Sequence, residues 1–282
     1  MVALVTGGHG FIGRRVSARL LGRGWRVHAA GRPETEIPSV SFSRLVERAR
    51  PDLVVHCAGP ASVPDAEESP DADRTASLDV FRSVLETVDG GTRVVFVSSA
   101  AVYGNPNELP VPESAPLLPI SAYGRHRVAC EELLRDSGLP FVIARVFSAY
   151  GEGLRRQVLW DIARKALAGG VVELLGTGDE SRDFVHVEDV GEAIAAIASE
   201  TALEDAAVNV GSGEETTIRQ LAELLVSELA TGAVLRFTGC RREADPLRWR
   251  ADVSALSRLG WRPQVGIDEG VRRYAAWVRA AA

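Results

Sequence analysis

Three glycines near the start of the chain have the spacing of a phosphate-binding turn. They follow a short apolar segment at residues 2–6 and precede a segment with helical periodicity. In such a turn the first glycine permits a tight bend, the second lets the backbone approach a pyrophosphate, and the third allows close helix–strand packing. The helix N-terminus then directs positive potential at the phosphates. The pattern therefore predicts a dinucleotide site. Its contacts are expected at Gly7, Gly10, Phe11, Ile12 and Gly13.

The end of the second predicted strand carries an arginine where an acid would read the ribose of NAD. Residues 29–32 are Ala-Ala-Gly-Arg. A carboxylate at this point accepts hydrogen bonds from the ribose hydroxyls, whereas an arginine can pair with the 2′-phosphate of NADP. We therefore expect NADP(H) to be favoured through Arg32, with NAD(H) as the alternative.

Tyr123 and Arg127 are four residues apart in a predicted helix, so their side chains lie on one face. A phenol is a poor base at neutral pH, but a fixed cation beside it stabilises the phenolate. Arginine does not deprotonate, so Arg127 can supply charge but cannot relay a proton.

The segments that must position these residues alternate between strand and helix. Tyr123 and Arg127 lie in the longest helical segment, at residues 121–137. The alternation predicts right-handed crossovers and a parallel sheet, and apolar strands without polar alternation predict that both faces are covered. Residues 105–119 contain five prolines and are expected to form a loop. The strands are expected at residues 2–6, 25–30, 53–56, 93–98 and 141–146.

The second half of the chain is less regular. Short strands are expected at residues 171–174, 184–186, 208–210 and 234–237. Helices are expected at residues 163–168, 190–198, 218–229 and 269–281. We expect a nucleotide-binding domain at residues 1–147 and a smaller lobe at residues 148–282. A part of this lobe, at about residues 171–200, is expected to pack back on the first domain.

Composition and charge exclude several classes of protein. The chain has 282 residues, of which 46% are hydrophobic and 25% charged, an ordinary globular mixture. No apolar run approaches the roughly 20 residues that span a bilayer, so no membrane association is expected. The net charge of −6 argues against nucleic-acid binding. Three widely spaced cysteines indicate reduced thiols, which favours a cytoplasmic protein without a metal site.

Several motifs together resemble the extended short-chain dehydrogenase/reductase family, of the NAD-dependent epimerase/dehydratase type that modifies nucleotide sugars. The segments that carry the resemblance are TGGHGFIG at 6–13, PDLVVHCAG at 51–59, VSSAAVYG at 97–104, YGRHR at 123–127, RVFSAYG at 145–151, GTGDESRDFVHVEDV at 176–190, NVGSG at 209–213 and RREAD at 241–245. The resemblance implies an α/β fold, with a Rossmann-like doubly wound parallel sheet and a smaller α/β substrate-binding lobe. It also implies a homodimer that pairs the helical segments at residues 78–88 and 121–137.

The resemblance also implies roles for individual residues. Ser99, Tyr123 and Arg127 match the catalytic positions, and Arg127 stands where the family has lysine. The resemblance implies that Tyr123 exchanges a proton with a sugar oxygen while hydride moves at the nicotinamide, and that Ser99 hydrogen-bonds the same oxygen. Ala58, Tyr123 and Arg127 are expected to join the glycine turn in binding the cofactor. The groups expected to contact a nucleotide-diphosphate sugar are Ser99, Tyr103, Ser148, Arg182, Arg242 and Asp245.

The implied activity is NAD(P)-dependent oxidoreduction of a nucleotide-diphosphate sugar, and NADPH-linked reduction of a 4-keto sugar is placed first. The first alternative is a 4-epimerase that retains NAD. The second is a non-enzymatic cofactor-binding protein whose site is impaired, since Arg127 replaces the usual lysine. Dehydration at C4 and C6 is disfavoured, because two alanines, Ala100 and Ala101, stand where that branch has an acidic pair.

Overall fold

The structure is a computed structural model that describes residues 1–32 and 35–281. The strands are β1 (Val2–Thr6), β2 (Arg26–Ala30), β3 (Leu53–His56), β4 (Arg93–Ser99), β5 (Phe141–Val146), β6 (Ser148–Tyr150), β7 (Val171–Leu174), β8 (Ser181–Arg182), β9 (Phe184–His186), β10 (Ala206–Val210), β11 (Thr216–Thr217) and β12 (Val234–Phe237). The helices are α1 (Gly13–Gly22), α2 (Val40–Ala49), α3 (Val63–Glu68), α4 (Pro70–Arg74), α5 (Val80–Thr87), α6 (Ala122–Arg135), α7 (Gln157–Ala168), α8 (Val187–Ser199), α9 (Ile218–Leu229), α10 (Ser254–Arg258) and α11 (Ile267–Ala281).

Six parallel strands form the main sheet in the order β10-β5-β4-β3-β1-β2. The chain moves outward from β1 to β2, then crosses back and adds β3, β4, β5 and β10 on the other side. The strand order therefore reverses between β1 and β3. In open α/β sheets, ligands bind at the carboxyl ends of the strands at such a point. The Rossmann-like α/β fold expected from the sequence is confirmed.

Helices cover both faces of the sheet, because successive residues of each strand point to opposite sides. Val5 belongs to the apolar cluster under α1 and α8, whereas its neighbour Leu4 packs against α2 and α5. In β4, Val95 and Phe96 divide between the two faces in the same way. Both faces are covered, so the inner strands carry mainly apolar residues, whereas the edge strand β2 begins with the exposed Arg26.

The helix expected at residues 78–88 is part of a longer helical run. Helices α4 and α5 are joined by a π-helical turn at Thr75–Asp79, so the run extends from residue 70 to residue 87. Its first turns are rich in Asp, Arg and Ser and carry no apolar periodicity. Tertiary packing against α6 stabilises them instead.

The second half of the chain forms a smaller lobe beside the carboxyl ends of the strands. Its core contains side chains of α7, α9 and α11, including Leu159, Leu225 and Tyr274. Strand β10 and helix α8 return to the main sheet, where α8 packs on α1. Among residues 1–32 and 35–281, no helix is long and apolar enough to cross a membrane.

Candidate functional site

A cleft of about 1410 Å³ lies between the carboxyl ends of the strands and the smaller lobe. It is larger than the cavities that hold one drug-sized ligand, which are roughly 300–1,000 Å³. Most of the residues expected from the sequence line it. They are Gly7, Gly10, Phe11, Ile12, Gly13, Arg32, Ala58, Ser99, Tyr123, Arg127, Ser148, Arg182, Arg242 and Asp245.

The glycine turn at the floor of the cleft fits a dinucleotide. Gly7 has a φ of +65°, and a Cβ at Gly13 would lie 2.2 Å from the Gly7 carbonyl oxygen, so neither position admits a side chain without rearrangement. The amide of Gly10 donates to the same carbonyl at 2.8 Å. No side chain in the described part of the chain caps the first turn of α1. The amides of Arg14 and Arg15 donate to the carbonyl oxygens of Gly10 and Ile12, so the helix offers a pyrophosphate mainly the positive potential of its N-terminus.

The end of the cleft next to β2 carries both a cation and an acid. Arg32 is exposed, and Glu36 lines the same end of the cleft. Sequence reasoning missed Glu36 because an acid was sought only at the end of β2, whereas Glu36 lies six residues beyond that strand. Residues 33 and 34 lie outside the described part of the chain.

Helix α6 brings Tyr123 to the cleft in its first turn. The Ser121 hydroxyl caps this helix by accepting from the amide of Gly124 at 3.0 Å. A Cβ at Gly124 would lie 2.5 Å from the carbonyl oxygen of Ala101, so glycine lets α6 approach the end of β4 closely. Ser99 is the last residue of β4, and its hydroxyl accepts from the amide of Ala101 at 3.2 Å. The two hydroxyl groups expected to act on substrate therefore line one cleft.

Arg127 provides a buried positive charge next to Tyr123. It is 4% exposed, and its Cζ lies 5.0 Å from the centroid of the Tyr123 ring and 5.9 Å from that of Phe96. Its Nη2 donates to the carbonyl oxygen of Pro60, in the loop that follows β3. Gly59 makes room for this contact, because a Cβ there would lie 3.1 Å from Nη2. The guanidinium is thus held in one position beside the Tyr123 ring at the wall of the cleft.

His56 is a buried neutral neighbour of this charge. Its Nδ1 lies 2.8 Å from the Thr6 hydroxyl oxygen, and its ring lies 4.4 Å from that of Phe81 between centroids. Burial, and to a smaller extent the positive charge of Arg127, lowers the pKa of His56 from 6.5 to about 3. Sequence reasoning gave His56 no role, and its neutrality leaves Arg127 as the cation near Tyr123.

The lowered pKa of His56 predicts that the folded protein loses stability in acid at pH values above those at which carboxylates titrate. The unfolded chain takes up a proton at His56 near pH 6.5 and the folded chain only near pH 3, so acid favours unfolding. This contribution to stability is complete above pH 6.5 and is lost as the pH falls toward 3. We expect the free energy of unfolding, measured with denaturant, to fall between pH 6.5 and about pH 4.5.

The matched control for this prediction is His56→Gln, which has no titrating ring. Its free energy of unfolding should fall less steeply over the same pH range. Burial also lowers the pKa of His186, so some slope should remain. Equal slopes in the wild-type and variant proteins would show that His56 does not titrate as proposed.

The lobe side of the cleft carries the groups expected to hold a diphosphate. The Nη1 of Arg182 donates to the carbonyl oxygen of Ser181 at 2.8 Å, and its Cζ lies 5.4 Å from the Trp249 ring centroid. Burial lowers the pKa of Arg182 to about 10, opposed by the charges of Asp245 and Glu180, and the group stays cationic at neutral pH. Arg242 is exposed at the rim, and the amide of Asp245 donates to its carbonyl oxygen.

The acid next to Arg182 in sequence is not its partner. Both carboxylate oxygens of Asp183 accept from the loop at residues 212–213, and one also accepts from the amide of Ala251. Arg182 therefore keeps its guanidinium directed at the cleft. Trp249 also lines the cleft and was missed, although it lies only four residues beyond Asp245.

Tyr103 does not line the cleft, so its predicted contact with substrate is wrong. The residue is 1% exposed, and its hydroxyl donates to Asn209 Oδ1 at 2.7 Å while accepting from Arg145 Nη1 at 2.8 Å. A 3₁₀ turn at Ala100–Tyr103 directs the ring into the protein. An aromatic residue just after a strand can face either way, and here buried polar partners determine its direction.

Comparison with known proteins agrees with this geometry. The NAD dependent epimerase/dehydratase family matches residues 3–211. The UDP-glucose 4-epimerase of Azospirillum brasilense is 31% identical over 322 residues, which cover 98% of this chain and 92% of that protein.

Two solved structures have the same fold over the whole chain. The UDP-glucose 4-epimerase of Thermus thermophilus, in complex with NAD, has a TM-score of 0.86 at 30% identity and covers 100% of both chains. That of Thermotoga maritima, with UDP-glucose, has a TM-score of 0.86 at 26% identity and covers 100% of this chain and 99% of its own. From the family match and the similarity over its whole length, the chain belongs to the NAD-dependent epimerase/dehydratase family.

Proposed function

We propose that this protein is a nucleotide-diphosphate-sugar 4-epimerase that keeps NAD bound through its catalytic cycle. The similarity to UDP-glucose 4-epimerases over the whole chain supports this reading better than the 4-keto reduction placed first from sequence. The glycine turn, the catalytic hydroxyls and the lobe arginines line one cleft large enough for a dinucleotide and a sugar nucleotide.

The observation that carries the proposal is that an arginine, Arg127, is buried beside Tyr123. A reductase consumes one proton at the substrate oxygen in each turnover, so its tyrosine must be reprotonated from solvent. Arginine cannot pass on a proton, and Arg127 is buried beside Tyr123. An epimerase returns the proton it has removed to the same oxygen and needs no net supply. A site with a fixed positive charge and no proton relay beside Tyr123 therefore suits an epimerase.

In the proposed reaction, Tyr123 acts first as a base and then as an acid. Its phenolate removes the proton of the sugar 4-hydroxyl, while the Ser99 hydroxyl donates a hydrogen bond to that oxygen. NAD held at the glycine turn by Gly7, Gly10 and Gly13 would supply the hydride acceptor and donor for C4. After the 4-keto sugar has turned its other face, Tyr123 returns the proton to the oxygen. The product is the 4-epimer, and no proton or electron is gained or lost.

The lobe would hold the substrate's diphosphate throughout this rotation. Arg182 and Arg242 offer guanidinium groups that suit a doubly charged pyrophosphate. Asp245 would accept from the nucleotide ribose, and Ser148 would donate to the diphosphate. Binding the nucleotide rather than the sugar leaves the sugar free to present either face at C4.

The activity is tested by incubating the purified protein with UDP-glucose alone and following the sugar signals by NMR. The proposal predicts conversion to the 4-epimer without added cofactor. Consumption of NADPH with a 4-keto sugar nucleotide, and no epimerisation, would favour the reductase. Cofactor binding without either reaction would favour the non-enzymatic alternative.

The homodimer stays a prediction, since the structure contains one chain.

The bound cofactor is expected to be NAD, although the sequence alone favoured NADP(H). We propose that the Glu36 carboxylate accepts from the adenosine ribose hydroxyls at the end of the cleft where Arg32 is exposed. Loss of such a charge-assisted hydrogen bond costs about 1.5–3 kcal/mol. Denaturation of the purified protein should therefore release NAD, and Glu36→Ala should release much less of it.

Arg32→Ala is the matched control for Glu36→Ala, because the two positions line the same end of the cleft. It should leave the NAD content unchanged and weaken NADP binding. Release of NADP from the wild-type protein would restore the preference expected from the sequence. Loss of NAD in Arg32→Ala would contradict the separate roles proposed for Glu36 and Arg32.

A further inference from the structure

A buried polar network behind the cleft joins the catalytic helix to the end of the strand that carries Ser99. Glu131 is four residues after Arg127 and eight after Tyr123, so it lies on the same face of α6. It is 0% exposed, and its carboxylate accepts from Ser98 Oγ at 2.7 Å. It also accepts from Arg145 Nε at 3.1 Å and Nη2 at 2.8 Å.

The network continues from Arg145 toward the smaller lobe. Arg145 Nη1 donates to the Tyr103 hydroxyl, which donates in turn to Asn209 Oδ1. Burial raises the pKa of Tyr103 to about 12, against the effect of Arg145, so this hydroxyl keeps its proton. Asn209 Nδ2 donates to the carbonyl oxygen of Val111 at 2.8 Å. Val111 pairs with Ala251, two residues after the cleft residue Trp249.

Net stability alone does not account for such an arrangement. Removing two charges from water costs about as much as their attraction returns, and a buried ion pair is often no more stable than apolar residues of the same volume. A fully hydrogen-bonded pair does, however, fix one relative position of the elements it joins. Here the elements are α6, β4 and β5, which meet at the catalytic hydroxyls.

We propose that Glu131 is a positioning residue for the 4-epimerisation, which fixes Tyr123 and Ser99 at the separation needed to contact one sugar oxygen. Ser98 and Ser99 are adjacent in β4, so their side chains point to opposite sides of the strand. The hydrogen bond from Ser98 to Glu131 therefore anchors the backbone that carries Ser99 to the helix that carries Tyr123. The inference rests on the proposed function.

The test compares Glu131→Gln with the wild-type holoenzyme, using UDP-glucose with hydrogen or deuterium at C4. Glutamine keeps the size of the side chain but loses the charge that holds Arg145. A displacement of about 1 Å can reduce a rate by roughly 10²-fold. We expect kcat to fall by about 10- to 100-fold, with KM and NAD content close to the wild-type values. The deuterium isotope effect on kcat should be at least as large as in the wild type.

Two other variants keep the proposal falsifiable if Glu131→Gln folds poorly. Ser98→Ala removes one hydrogen bond from the network and should lower kcat by a smaller factor, again with KM unchanged. Glu132→Gln, at the exposed neighbouring position of α6, is the control and should match the wild type.

Two results would overturn the positioning role. One is a lower melting temperature with unchanged kcat in Glu131→Gln and Ser98→Ala, which would mean that the network only stabilises the fold. The other is a lower kcat with a smaller isotope effect, which would place the slow step away from hydride transfer. A wild-type protein with no epimerase activity would instead contradict the proposed function, so the two failures are distinguishable.

Discussion

Tyr123→Phe is expected to lower epimerase turnover by about 10²–10⁴-fold, the usual contribution of a general acid–base group. Phenylalanine keeps the ring that lies 5.0 Å from the Arg127 Cζ, so packing and cofactor retention should change little. Only the hydroxyl oxygen to which we assign the proton transfer is lost. The measurement is kcat for UDP-glucose, together with the amount of NAD bound per chain.

Tyr150→Phe is the matched control for this substitution. The Tyr150 hydroxyl is buried without a hydrogen-bond partner in residues 1–32 and 35–281, so its removal should cost little stability or activity. Unchanged turnover in Tyr123→Phe would contradict the assignment. The proton would then have to come from Ser99 or a bound water.

Arg127→Met is expected to lower turnover by about 10²-fold, the usual cost of removing one preorganised electrostatic contact. Methionine fills part of the space but removes the positive charge beside the Tyr123 ring. It also removes the donor to the Pro60 carbonyl oxygen. The comparison with Arg127→Lys is the informative one, because lysine keeps the charge and loses the planar fork.

If charge is what the site requires, Arg127→Lys should retain turnover within about tenfold, the effect of roughly 1.4 kcal/mol. Arg125→Met, at an exposed position of the same helix, should behave like the wild type. Equal losses in Arg127→Lys and Arg127→Met would contradict this account. They would show that the site depends on the planar shape of the guanidinium. The Arg127 Cζ lies near the ring centroids of both Tyr123 and Phe96.

Much of the fold and of the candidate site could be predicted because the relevant signals are local. The glycine spacing defines a strand–turn–helix unit, and a four-residue separation places Tyr123 and Arg127 on one helix face. The carboxyl ends of parallel strands meet at one edge, which brings Ser99 near the glycine turn. Apolar strands predicted a sheet covered on both faces, as the clusters around Leu4 and Val5 confirm.

The remaining features depend on contacts between distant segments. Tyr103 points inward because Arg145 and Asn209, far away in sequence, provide its hydrogen bonds. Glu36 lines the cleft, but it lies in a segment of the sequence without a periodic pattern. The role of Glu131 could not be inferred either, since its partners Ser98 and Arg145 lie in two other elements.

The fate of the hydrogen at C4 distinguishes an epimerase from a reductase most directly. UDP-glucose carrying deuterium at C4 is incubated with the purified protein, without added cofactor, and the product is examined by NMR. Because the hydride removed from C4 is returned to it, the 4-epimer should keep the deuterium at C4. A product that has lost the label, or turnover that requires added NADPH, would contradict the proposed epimerase.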